Sequence, residues 1–136
     1  MSAPIRPEPS PRPERVVGIF VTVVWAAVVF ASYGLLAVIL DRDPIEAPVG
    51  PYYGLVALGL AALVVYAGIQ LTTRSRGPWL GALGTGAGVY LVIVASAAVV
   101  DFGLAVSQAL SPFVLVAAVL AAATVASMWV VYARGR

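Results

Sequence analysis

The chain of 136 residues contains no cysteine, histidine, lysine or asparagine. Without cysteine there are no disulfides, no thiol nucleophile and no dithiol redox chemistry. Without histidine the chain lacks the commonest haem and transition-metal ligand and the usual proton carrier near neutral pH. Charge is scarce too. Charged residues make up 10% of the chain, against about 25% in an ordinary soluble domain. The formal net charge of +2 is too small to draw a nucleic acid, so none is expected as a partner. No nucleophile–base pair stands out, and the expectation is a non-enzymatic protein with no cofactor and no bound metal.

What fills the space is apolar. Hydrophobic residues are 62% of the chain, against about 45–50% in soluble domains. Water could not solvate a globule of this composition, so the solvent is expected to be the lipid bilayer. Val16 to Leu40 runs 25 residues without a charge, roughly 37 Å of helix against a hydrocarbon core of about 30 Å. It is too long for the core of a cleaved signal peptide and reads as a retained signal anchor. Three further apolar runs follow, and the spans are expected at about 16–40, 52–73, 79–100 and 113–133, with Pro112 opening the last. Each must be helical, because lipid offers no partner to a free backbone N–H or C=O. The alternating strands of a barrel, about 9–11 residues each, do not fit these continuous runs. The fold expected is an all-α membrane four-helix bundle.

The segments between spans set the orientation. Residues 1–15 carry Pro4, Pro7, Pro9, Pro11 and Pro13, a density that disfavours helix, and read as a disordered tail. Arg6, Arg12, Arg15, Arg74, Arg76, Arg134 and Arg136 all belong to one face of a four-span scheme, and Arg42 alone to the other. That bias puts both termini in the cytoplasm. Arginine carries all the basic charge beside heavy Ala, Val and Gly usage, a pattern of GC-rich coding that suggests a bacterial inner (plasma) membrane.

Acids gather on the opposite face: Asp41, Asp43, Glu46 and Asp101. Oxygen ligands of this kind suit a divalent cation or a partner contact, although the spacing matches no cation loop. Asp43-Pro44-Ile45-Glu46 has the form of a helical capping box. Asp101 either follows the end of helix three, solvated at headgroup level, or, if that helix runs on through Leu104, stays interfacial.

Inside the membrane the clearest pattern is glycine. Gly81, Gly84 and Gly88 share one face of helix three, continued by Ala95, and Gly84 with Gly88 forms a GxxxG pair that admits a second helix backbone. The stretch 81–88 is not a dinucleotide fingerprint, since no strand precedes it. Ala117 with Ala121, and Ala118 with Ala122, offer matching small faces on the last span. Leu55-Val56-Ala57 and Ala61-Ala62 recur sixty residues later as Leu115-Val116-Ala117 and Ala121-Ala122, a weak echo of a duplicated hairpin.

Size and span number resemble the small multidrug resistance exporters, which dimerise and couple export to a carboxylate in the first helix. Here Glu14 precedes the span, and no acid lies within Val16–Leu40, so that coupling has no carrier and the resemblance ends at size. The functional expectation is a small accessory or structural subunit acting through helix packing, partnered by lipid and by another membrane protein or a second copy. The alternative is a small oligomeric transporter or channel with Asp101 and the glycine face near the conduit.

Overall fold

The structure is a computed structural model that describes residues 2–5, 7, 13–42 and 52–135. It is all-helical, with no strand among the described residues. In chain order the helices are α1 (Pro13–Leu40), α2 (Tyr53–Thr72), α3 (Trp79–Val100), α4 (Phe102–Ala109) and α5 (Pro112–Arg134). Four of them, all but α4, are long and apolar enough to cross a bilayer, which points to a multi-pass membrane protein.

Helix ends differ from expectation where capping chemistry decides. α1 begins at Pro13, inside the segment expected to be non-helical. Proline at the first helical position loses no hydrogen bond, and Glu14 in the first turn suits the positive end of the helix dipole. At its other end Asp41 adopts φ 49°, and the Arg42 N–H donates to the Ala37 carbonyl at 3.2 Å. This is a Schellman closure, and aspartate is among the few residues that tolerate the left-handed position. The proposed capping box at Asp43–Glu46, and residues 1, 6 and 8–12 of the proline-rich tail, lie outside the described residues.

The connection from Asp101 to Ser111 is mostly helix. Asp101 is extended (φ −161°, ψ 138°), so α3 stops at Val100 and does not run on through Leu104. The same residue then starts α4: its Oδ2 accepts the Leu104 N–H at 2.9 Å, an N-cap that satisfies one of the orphan donors of the first turn. α4 is held by the Tyr90 hydroxyl, which donates to the Ala109 carbonyl at 2.8 Å. Ser111 caps α5 in turn, accepting from the Phe113 N–H at 3.3 Å.

The long helices form a ring in the order α1, α2, α3, α5, with α2 and α5 also touching across the middle and α4 lying on α3. Buried residues recur every three or four positions: Ala57, Ala61, Val65 and Ile69 on α2; Ala82, Thr85, Val89, Ile93 and Ala97 on α3; Ala117, Ala121 and Val125 on α5. On α1 the buried set is Gly18, Thr22, Trp25 and Val29.

The outside is as apolar as the inside, and the two differ by size. Phe20, Phe30, Leu35, Leu55, Leu63, Leu71, Leu83 and Leu91 face outward, while alanine and valine dominate the core. A water-soluble monomer rarely exposes apolar patches beyond a few hundred Å². In lipid the sorting follows from packing: tails solvate leucine as well as a core would, so helices associate where small side chains let backbones come close. Trp25 and Phe113, both 2% exposed, are the large exceptions.

Candidate functional site

Two regions of the bundle are built with more than generic apolar packing, one at each end. The first is the contact between α2 and α3. A side chain placed at Gly68 would collide with Thr85, and one placed at Gly81 would collide with Thr72. Each helix therefore offers a glycine to the other's threonine. The two segments, Gly68-Ile69-Gln70-Leu71-Thr72 and Gly81-Ala82-Leu83-Gly84-Thr85, carry the same Gly-x-x-x-Thr spacing. Thr72 and Thr85 are 2% and 4% exposed, so both side chains are fully taken up by the interlock. Thr85 returns its hydroxyl to the Gly81 carbonyl at 2.7 Å, which satisfies the donor within its own helix. Thr72 Oγ1 is buried with no partner among the described residues.

The glycine face read from the sequence divides here. Gly81 lies in the interlock, and a Cβ on Gly88 would meet Val64 Cγ1 of α2 at 2.9 Å. Gly84 has nothing within 4 Å, and Ala95 is exposed, so this half of the face looks outward. Gly86, outside the expected set, packs against α5: a Cβ there would sit 3.1 Å from the Ala118 carbonyl and 3.3 Å from the Ala122 Cβ. Gly18 of α1 likewise accommodates Gln70 and Tyr66 of α2. Gln70 Nε2 donates across the same contact to the Glu14 carbonyl at 3.3 Å, and Trp129 Nε1 donates to the Ser75 carbonyl at 3.2 Å. These bonds gather the start of α1, the α2–α3 turn and the end of α5 at one pole.

Of the acids singled out in the sequence, the two described ones, Asp41 and Asp101, are occupied with helix ends. Asp101 is exposed and caps α4. Asp41 is exposed and closes α1. Asp43 and Glu46 lie outside the described residues, among which no cluster of three acids could hold a metal ion. Four hydroxyls within the long helices point back rather than across: Thr22, Ser96, Thr124 and Ser127 each donate to the carbonyl four residues earlier, at 2.7–2.8 Å.

The second region is a cavity of about 260 Å³ at the opposite pole, where α1, α2, α3 and α4 meet. Its walls include Val29, Phe30 and Tyr33 of α1, Tyr53, Gly54 and Leu58 of α2, Ile93 of α3 and Gln108 of α4. Tyr33 is fixed by an edge-to-face contact with Phe113, with ring centroids 5.3 Å apart at 77°. Gln108 is 6% exposed. The Tyr53 hydroxyl is buried with no hydrogen-bond partner among the described residues, a state that costs about 1–3 kcal/mol. Neither Tyr53 nor Gln108 stands out in the sequence, because no linear motif joins them. Chemically the cavity offers an apolar chamber, two phenolic hydroxyls (Tyr33 and Tyr53) and no charge among its described lining residues.

The chain matches no protein-family model, no curated protein and no solved structure.

Proposed function

We propose that this is a non-enzymatic, multi-pass protein of a bacterial cytoplasmic membrane, an accessory or structural subunit that works through the packing of its helices. The observation that carries this reading is the closed interior. Ala61, Val65, Val89, Val114, Ala117, Ala121 and Val125 are all 0% exposed, and Asp41 and Asp101 stand at helix ends. A path for ions or polar solutes needs polar groups or water along its length. Small apolar side chains occupy that space here. The outward faces are then the surface left for interaction.

The orientation follows from charge. Arg15, Arg74, Arg76 and Arg134 share the pole that holds the α2–α3 turn, and Arg42 lies at the other with Asp41 and Asp101. Arginine excess on short segments is retained in the cytoplasm, so both termini and the turn belong inside. An oligomeric transporter is the second reading. Its support is the uncovered Gly84 and Ala95 strip on α3, which would admit a second copy of the chain.

Purification in mild detergent with mass analysis of the intact complex separates the two. A stoichiometric membrane partner is expected. A homo-oligomer alone would move the balance to transport.

A further inference from the structure

We infer that the cavity between α1, α2, α3 and α4 is a binding site for a neutral, membrane-dissolved molecule that presents a carbonyl oxygen to the Tyr53 hydroxyl. The inference rests on the membrane reading but not on the accessory role. Volume bounds the occupant. A cavity of 150 Å³ is enough for benzene, so about 260 Å³ takes one substituted ring or the first part of an acyl chain, not a whole two-chain lipid.

Charge bounds it further. None of the described residues that line the chamber is ionised, and an ion brought there would lose its hydration with no counter-charge to replace it. The ligand is therefore uncharged. Phenolic donors are waiting: the Tyr53 hydroxyl is buried and unpaired and Tyr33 brings a second phenol to the same lining, whereas Gln108 is already engaged. A carbonyl oxygen is the acceptor most membrane-soluble molecules can offer.

Access fixes the route of entry. Phe30 and Leu55 are 75% and 67% exposed on the outer faces of α1 and α2, at the rim of the chamber. A ligand passing them comes from the bilayer, not from water. Tyr53 is the first residue of α2, which places its hydroxyl near the interface, the depth of glycerolipid ester groups. Val29 and Leu58 lie roughly 6–8 Å deeper along their helices and would take the chain. The carbonyl could belong to an acyl ester or to a quinone-type ring. Both share this chemistry.

The test uses the full chain in lipid nanodiscs with two photoactivatable probes: a phospholipid with a diazirine on its acyl chain, and a decyl-benzoquinone analogue. Adducts are mapped by peptide mass. Expected is saturable labelling of the Val29–Tyr33 and Tyr53–Leu58 segments by one probe, and that probe identifies the source of the carbonyl. Tyr53→Phe keeps the ring and should weaken half-saturation roughly two- to tenfold, the range of one hydrogen bond. Gly54→Leu adds a side chain to the cavity wall and should abolish the saturable signal while leaving thermal unfolding in place. Should Gly54→Leu fail to fold, Tyr53→Phe decides alone. Non-saturable labelling spread over the outer faces and unchanged by Tyr53→Phe would overturn the site. A chain that stays soluble without detergent would instead overturn the membrane reading.

Discussion

The two poles of the bundle are packed by opposite rules. Near the α2–α3 turn, Gly68 and Gly81 give up their side-chain space to Thr85 and Thr72. At the other pole, larger side chains (Tyr33, Tyr53, Leu58, Gln108) stand apart around a cavity of about 260 Å³. The difference teaches where this sequence invests in rigidity. Lipid supplies no hydrophobic push between helices, so van der Waals contact at close range must hold them together. The glycine pole has that contact. The aromatic pole is held by helix caps, by the Tyr90–Ala109 bond and by the Tyr33–Phe113 ring contact, and keeps room for something else.

The largest test of that contrast is to fill the interlock. Gly81→Leu should lower stability by about 1–3 kcal/mol or more, the range of overpacked cores, whereas Gly84→Leu, with nothing within 4 Å, should change it little. Thermal unfolding in detergent reads both. Equal effects would mean the glycines are interchangeable and the interlock carries no weight.

Next in size is the cap that separates α3 from α4. Asp101→Ala should cost about 1 kcal/mol and expose α4 amides to hydrogen exchange, and Asp101→Asn should keep most of the protection. A functional ion site would respond the other way, with Asn as damaging as Ala. At the cavity, Tyr53→Phe removes an unsatisfied hydroxyl without changing shape, so the empty protein should be unchanged or slightly more stable. A loss above about 1 kcal/mol in delipidated protein would show that the hydroxyl has a protein partner after all. The smallest effect belongs to Gly59→Ala. Gly59 lies inside α2 with open space around it, and alanine should raise stability by up to about 1 kcal/mol through helix propensity alone.

The long helices are legible in the sequence because uncharged runs of this length have one physical use. α3 falls on the expected residues from Trp79 to Val100, since the polar turn Arg74-Ser75-Arg76-Gly77-Pro78 bounds one end and an aspartate the other. What the sequence hides is which side of each helix turns inward. In water, polarity would mark the solvent face. Here both faces are apolar and only size distinguishes Ala61 from Leu63. The repeated Gly-x-x-x-Thr was a readable signal, overshadowed by the neighbouring GxxxG, whose Gly84 points away from α2. α4 is short, and its one marker is a capping aspartate three residues before Leu104. The cavity draws residues from four helices, Val29, Tyr53, Ile93 and Gln108 among them, and no local pattern can announce it.

The most direct measurement concerns the bilayer itself. The chain has no native cysteine, so single cysteines report position without background. Gly77→Cys, in the α2–α3 turn, should be shielded from a membrane-impermeant maleimide in intact cells and become reactive once the cells are opened. Ser107→Cys, exposed on α4, should react from outside at once. Labelling of both from outside, or of Gly77→Cys alone, would contradict the four-span arrangement with an internal arginine-bearing turn.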